Sequence, residues 1–382
     1  MHPAWLRAAL LSVLAVSSWA QAAQPADTAH LAAQVRAVRG RDWLKSAEYA
    51  PLKAQFLEWI DARVLAGRTI ESMNRELKAA GLLLDPPKSA DQYSTEYTGK
   101  LGGVSAQPVR GAGDLLAINA GISRGSTCHV DITVILYQRE PLRRLAHINA
   151  ELGDGDFACY LSGLAAGEKD ASGARLIASG WVYSNCTSVW NGKRIRIDRL
   201  KASSVENILA RSLSARDREA IENVAPWVRG DVVTFWYEGG LPDAEMMSTP
   251  AIARYRVAEN RAVREPPMAL TRAGFIEEWL AMEDSEAARW SEPEALRVHQ
   301  AVAAAFHHDV FKWEHIGRCA GSPPVWEIGV RLDKSKKLYV FRIHASRATD
   351  LRMLAVTDHW TSSCADFPLA SILQTLGTEL PW

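Results

Sequence analysis

The chain has 382 residues with 44 basic and 44 acidic side chains, so its formal net charge at pH 7 is zero. A near-neutral chain lacks the clustered Lys and Arg that binding to nucleic acid or anionic lipid requires, so neither partner is expected. The hydrophobic content of 48% supplies a large core, and the length is typical of two or three domains.

Residues 1–22 predict a cleavable signal peptide. Arg7 gives a short positive region, and an apolar run follows it. Ala20-Gln21-Ala22 supplies the small-x-small pattern of a cleavage site. The apolar run is shorter than the roughly 20 residues that a membrane span needs. We therefore expect the mature protein to begin near Ala23, to have no membrane span, and to be periplasmic or secreted.

Residues 28–84 predict a helical N-terminal segment. Phe56 and Ile60 belong to an apolar set that recurs at the spacing of one helix face. Thr69 is the expected N-cap of a second helix that ends at Gly81. We interpret the segment as an amphipathic helical layer on the next domain, without an active role.

A polar linker that begins at Asp85 leads into residues 92–268, which predict an antiparallel β-rich domain. Residues 130–137 alternate between apolar and polar side chains, as a half-buried strand does. Together with residues 143–150 they predict a hairpin. The domain is expected to be a sandwich or a partial propeller.

Two further features are expected inside this domain. Asn191-Gly192 predicts a turn between two strands. The stretch from Val205 to Ile221 predicts a helix that interrupts the series of strands.

Residues 269–382 predict a C-terminal α+β domain, so the chain as a whole belongs to the α+β class. Phe275, Ile276 and Trp279 form an apolar helical stripe. Residues 291–294 fit a capping box, in which the Ser291 hydroxyl would cap the next helix. The strands that follow predict a four-stranded antiparallel meander.

Five cysteines suit a disulfide framework in an oxidising compartment. Cys319 is expected to pair with Cys364, which would stabilise the fold by roughly 4 kcal/mol. Among the other three, Cys159 and Cys186 are the favoured pair and Cys128 the buried thiol, although the connectivity of these three stays open. None of the spacings is C-x-x-C, so no metal and no cofactor are expected.

Three stretches carry a resemblance to a known group of proteins. They are Asp131-x-x-Val134-x-Leu136-Tyr137, Cys186-Thr187-Ser188-x-Trp190, and Phe275 to Leu280 followed by Glu286 to Ser291. The chain resembles an uncharacterised family of secreted bacterial proteins with no assigned activity. The resemblance implies export from a bacterium and transfers no catalytic or binding residue.

His129 and Asp131 are the catalytic candidates. They are two residues apart on a predicted strand, so both side chains leave the same face. Such a pair could bind a metal or form a carboxylate-oriented base if a third group joined it. The alternative, which we favour, is a polar strand face in water.

Aromatic and acidic side chains give two more candidates. Trp181 and Trp190 flank the Cys186 loop and could stack on sugar rings, although core packing is the commoner role of tryptophan. Glu277 and Glu278 beside Trp279 suggest the carboxylate pair of a glycosidase. The apolar stripe of their helix, however, predicts that both carboxylates face solvent.

Two functions remain. The first is a non-catalytic envelope protein that binds a protein or a glycan. The second is a hydrolase that acts on an envelope glycan or peptide. No assembled catalytic motif is present in the sequence, which favours the binding protein, and the oligomeric state is left open.

Overall fold

A computed structural model describes residues 27–41, 46–84, 98–124, 130–149, 158–184, 190–218, 224–240, 248–307, 309, 311–321, 323–361 and 363–376. The predicted signal peptide and linker, and Cys128, His129 and Cys186, lie outside these residues. Within them the chain forms six α-helices and four antiparallel sheets, a mixed fold made mostly of strands. None of the helices in these ranges has the length and apolarity needed to cross a membrane.

The helices are α1 (Thr28–Val38), α2 (Ser46–Leu65), α3 (Ile70–Ala79), α4 (Arg272–Ala281), α5 (Asp284–Ala287) and α6 (Pro293–His307). The first sheet contains β1 (Leu101–Gln107), β2 (Leu115–Ser123), β3 (Val130–Gln138) and β4 (Arg143–Asn149). The second contains β5 (Ala158–Ala166), β6 (Arg175–Ser184), β7 (Trp190–Leu200) and β8 (Val205–Arg218).

The third sheet contains β9 (Val224–Arg229), β10 (Val232–Gly240), β11 (Ser248–Ala258) and β12 (Arg261–Glu265). The C-terminal sheet contains β13 (Phe311–Cys319), β14 (Val325–Leu332), β15 (Leu338–His344), β16 (Arg352–Thr357) and β17 (Cys364–Phe367), in the spatial order β16-β15-β14-β13-β17. The expected four-stranded meander is present, and β17 adds a fifth strand at its edge.

The N-terminal helices cover one face of the first sheet, as the sequence predicts. Thr69 caps α3 by accepting a hydrogen bond from the amide of Ser72. Phe56 and Ile60 of α2 are fully buried against apolar residues of the sheet, Ile135 among them. The helical segment is therefore a layer of the core.

The first three sheets stack face to face in chain order. Val134 and Leu136 leave the first sheet on the side away from the helices and pack against Leu164 of the second. The far face of the second sheet contributes Ile197 to a core that it shares with Phe235 of the third. Each sheet in the stack thus buries its apolar face on its neighbour in sequence.

Glycines allow the second and third sheets to approach closely. A Cβ on Gly163 would lie 2.5 Å from the Pro226 ring, and one on Gly180 would lie 2.5 Å from Val224. Both distances are shorter than carbon atoms tolerate, so β5 and β6 need glycine where β9 crosses them.

Two local predictions are wrong. Val205 to Arg218 is strand β8, because pairing with β7 outweighs the helix preference of its Leu, Ala and Arg residues. Asn191 and Gly192 lie inside β7, where they pair with Ser184 and Tyr183 of β6.

A buried guanidinium joins the third sheet to the C-terminal helices. Arg264, at the end of β12, is 2% exposed and pairs with both carboxylate oxygens of Glu278 on α4, at 2.6 and 3.0 Å. It also donates to main-chain oxygens around it, those of Arg254, Glu265, Pro267, Ile252 and Met268. The expectation that Glu278 faces solvent is wrong, because Arg264 draws the carboxylate inward.

The expected capping role of Ser291 is also wrong. Its hydroxyl donates to the carbonyl of Ala287 at 2.7 Å and accepts from the indole of Trp279 at 2.8 Å. The side chain therefore ties α4 to the turn before α6. Trp279 is buried in the C-terminal core with Phe275, Ile276 and Phe341 of β15, so α4 packs directly on the C-terminal sheet.

A charged cluster lies between the helical layer and the first sheet. Asp61 of α2 accepts hydrogen bonds from the Tyr137 hydroxyl at 2.5 Å and from Arg144. The half-buried His147 stands near this cluster, and its buried Nε2 has no hydrogen-bond partner among the described residues. Burial lowers the pKa of the His147 imidazole from its ordinary 6.5, although the Asp61 carboxylate acts in the opposite direction.

We predict that Arg264→Met lowers the free energy of unfolding by about 3–5 kcal/mol, because it leaves the Glu278 carboxylate buried without its partner. Urea denaturation measures the loss. Arg256→Met is the matched control, since the ion pairs of Arg256 with Asp231 and Glu265 are exposed at the surface. An equal loss in the two variants would contradict the prediction.

We predict that His147 makes the protein less stable in mild acid. Its folded pKa lies below the unfolded value, so the unfolded chain binds the proton more readily and stability falls as pH drops through about 6.5. His147→Gln should reduce the change in the thermal unfolding midpoint between about pH 8 and pH 5. His359→Gln, at an exposed imidazole, should keep the wild-type slope. Parallel slopes for all three proteins would refute this role of His147.

Candidate functional site

Asp131 is a structural residue of the helix–sheet contact. Its Oδ2 accepts hydrogen bonds from the Tyr49 hydroxyl at 2.6 Å and from Lys53 Nζ at 2.9 Å, both on α2. The favoured alternative of a strand face in water is wrong, because α2 covers this face. With its oxygen bound to two groups of the helix, Asp131 fixes the helical layer, and the candidate partner His129 lies outside the described residues.

Trp181 is the member of the predicted tryptophan pair whose side chain is described, and it does not form a ligand-binding surface. The Trp181 ring is fully buried between the first and second sheets, and its indole N–H donates to Ser179 Oγ at 2.9 Å. A ring in this position packs the core and cannot stack on a sugar. The backbone of Trp190 begins β7, while its side chain lies outside the described residues.

The predicted Cys319–Cys364 disulfide is present and joins β13 to β17. Cys159 lies on β5, but its side chain and its predicted partner Cys186 are outside the described residues. The confirmed disulfide borders a groove on the outer face of the C-terminal sheet. That groove is the candidate functional site.

Two glycines leave room for side chains that line the groove. Gly317 of β13 and Gly329 of β14 lie on the outer face, where other strand positions would carry side chains. A Cβ on Gly329 would lie 2.2 Å from the Trp360 ring, so only glycine lets this ring lie against the sheet. The cavity beside it has a volume of about 660 Å³ and is lined by Glu314, His315, Glu327, Trp360, Thr361, Cys364 and Asp366.

Trp360 and His315 form the aromatic part of the lining. Trp360 is half-buried, and its ring meets the His315 imidazole edge to face with centroids 4.5 Å apart. His315 Nε2 lies 3.0 Å from Asp366 Oδ1 on β17, so this carboxylate orients the imidazole. The groove is therefore lined by an indole ring, an imidazole and a largely exposed carboxylate.

Glu327 supports the wall of the groove. Its side chain is 1% exposed, with Oε2 accepting the Thr361 amide at 3.0 Å and Oε1 lying 3.2 Å from Arg342 Nε on β15. Oε2 is therefore hydrogen-bonded and Oε1 is ion-paired within the protein. A carboxylate held in this way positions the segment that carries Trp360 and Thr361 and is not a free general acid.

A cysteine–carboxylate set lies at one end of the groove. The sulphurs of Cys319 and Cys364 and a carboxylate oxygen of Glu327 all lie within 4.8 Å of one another. Metal ligation by cysteine requires thiolates, and the two sulphurs here are joined to each other. The oxidised set therefore does not bind a metal ion.

Sequence reasoning missed this groove. Its residues are spread from position 314 to position 366 and meet only through the strand order of the sheet. The available signal was a glycine inside each of two adjacent predicted strands, Gly317 and Gly329, which marks a close approach of another group.

Comparisons with known proteins leave the family open. No protein-family profile matches the chain, and no curated protein matches it. Among solved structures, a mutant α-L-arabinanase of Cellvibrio cellulosa is similar over 71% of this chain and 82% of its own, at 11% identity and a TM-score of 0.23. An exo-1,5-α-L-arabinanase from a bovine ruminal metagenomic library is similar over 74% of this chain and 85% of its own, at 8% identity and a TM-score of 0.25. Scores this low support no statement about fold or function.

Proposed function

We propose that this protein is a non-catalytic binding protein of the bacterial envelope that holds a glycan in the groove of its C-terminal sheet. The half-buried Trp360 ring, surrounded by polar groups, is the observation that supports it. Sugar rings present an apolar face of C–H groups and a rim of hydroxyls. An indole face next to carboxylate acceptors and an imidazole matches both.

Export remains part of the proposal. The leader-like residues 1–22 and the Cys319–Cys364 disulfide agree with a periplasmic or secreted protein, since such bonds persist in oxidising compartments. We further propose that the three stacked sheets form a partial propeller, because each buries its face on the next in chain order, as blades do. In this arrangement residues 28–84, 92–268 and 269–382 are the structural units.

A glycan is favoured over a protein partner by the form of the site. Stable protein interfaces bury more than about 1,000 Å² around an apolar core. The groove is instead a cavity of about 660 Å³ whose lining includes the carboxylates of Asp366 and of Glu314, the latter paired with Arg331. Small ligands with many hydroxyls fit such a cavity.

The hydrolase alternative has one observation in its favour, the His315–Asp366 pair in the groove. A carboxylate-oriented imidazole can act as a general base. The pair would have to activate water, because one oxygen of Glu327 is hydrogen-bonded and the other is ion-paired within the protein.

We predict that Trp360→Ala weakens glycan binding at least tenfold, about 1.4 kcal/mol, through loss of the stacking surface. Titration calorimetry with soluble peptidoglycan fragments and chito-oligosaccharides measures the affinity. Trp227→Ala is the matched control, because Trp227 is 43% exposed on β9, outside the groove. A loss of binding in the Trp227 variant alone would move the site to the third sheet and contradict the proposal.

A product assay distinguishes the binding function from the hydrolase function. Under the binding proposal, wild-type protein leaves the same oligosaccharides intact over many hours by mass spectrometry. Turnover that disappears in His315→Gln, in a variant with an unchanged melting temperature, would establish the hydrolase instead. The exposed imidazole variant His359→Gln is the control for general effects of removing a histidine.

A further inference from the structure

The wall of the groove is attached to the sheet by the disulfide. Cys319 and Cys364 stand directly opposite one another where β17 pairs with β13. β17 has four residues and lies at the edge of the sheet. Such a short edge strand gains little from backbone pairing alone. The disulfide at its first residue and the contact of the Phe367 ring with Trp326 at its last residue therefore supply much of its attachment.

The attached segment carries much of the binding surface. Asp366, which orients His315, lies on β17. Trp360 and Thr361 precede the strand, with the Thr361 amide bound to Glu327. Displacement of β17 would therefore separate the aromatic ring, the imidazole and the carboxylate from one another.

The chain on either side of this segment is anchored independently. β16 pairs with β15 before it. After it, Ile372 and Leu376 are buried in the C-terminal core, and the Ser371 carbonyl accepts from Arg272 at 2.8 Å. Release of β17 should therefore open the groove while the domain stays folded.

We infer that thiol–disulfide exchange at Cys319–Cys364 controls this groove, which binds its ligand in the oxidised form and opens when reduced. The inference rests on the proposed glycan-binding function. It assigns a regulatory role to the disulfide in addition to its stabilising one.

The exchange requires a dithiol reductant. Cys364 lines the groove whereas Cys319 is buried, so a reductant thiolate attacks Cys364 Sγ. The S–S bond breaks, Cys319 leaves as a thiolate, and a mixed disulfide forms at Cys364. The second thiolate of the reductant then attacks the reductant sulphur that is bonded to Cys364, which closes the reductant disulfide and frees Cys364. Two electrons pass to the protein, the reductant leaves as a disulfide, and the protein thiolates take up protons from water.

Glu327 disfavours re-formation of the bond once it is broken. Its carboxylate lies within 4.8 Å of both sulphurs in a buried position. A negative charge at this distance disfavours a nascent thiolate, so the reduced cysteines take up protons and become neutral thiols. Because only a thiolate attacks in thiol–disulfide exchange, the bond re-forms slowly and β17 stays released.

Hydrogen-exchange mass spectrometry of the full-length mature protein, oxidised and after dithiothreitol, tests the opening without any ligand. We expect exchange at Thr361 and in β17 to accelerate at least tenfold on reduction, with β14 and β15 unchanged. Cys319→Ser/Cys364→Ser should reproduce the reduced pattern under oxidising conditions. Cys159→Ser/Cys186→Ser should keep the response, which excludes an effect of those cysteines.

Affinity for the oligosaccharides, measured in both redox states, completes the test. A loss of at least tenfold on reduction supports the inference. Unchanged exchange at β17 overturns it, and so does equal affinity in both states, which would leave the glycan-binding function intact. Opening on reduction with no oligosaccharide bound in either state would overturn the glycan-binding function and, with it, ligand control by the disulfide.

Discussion

The placement of the C-terminal helices and sheet depends on one buried charge. The Arg264 guanidinium costs several kcal/mol to remove from water unless its donors are satisfied. Main-chain oxygens and the Glu278 carboxylate accept hydrogen bonds from all three guanidinium nitrogens, and the Glu278 contact fixes the position of α4 against the third sheet. Because α4 packs through Trp279 on the C-terminal sheet, the position of that sheet follows from the same contact. A second ion pair joins the sheets to the C-terminal helices, since Arg211 of β8 pairs with Glu286 of α5 at 2.6 Å.

Regular patterns in the sequence predicted the elements whose partners are local. The alternation of residues 130–137 gave β3 and its hairpin with β4, and the cap at Thr69 gave the start of α3. Predictions failed where a contact with another element outweighs the local preference of a segment. β8 is a strand because it pairs with β7, the strand just before it, and Glu278 is buried because Arg264 on β12 binds it. No periodicity in the sequence contains those contacts.

The groove was beyond prediction for a related reason. It depends on the absence of side chains at Gly317 and Gly329, which leaves room for Cys364 and for the ring of Trp360, a residue that follows a different strand. Besides these glycines, the disulfide expected from the cysteine positions pointed to this part of the domain. The attachment of β17 and the geometry of the groove thus depend on the same short strand, since the bond that secures β17 also holds Asp366 beside His315.

The stacking of the sheets has a consequence for how the chain reaches its native state. Every strand in the first three sheets pairs with a strand adjacent in sequence, and each sheet then packs on the one before it. Each of these strand pairs can therefore form as a hairpin, whose ends are cheaper to bring together than those of strands far apart in the chain. A nascent chain that emerges amino end first can complete each layer on a finished template without waiting for its carboxyl end.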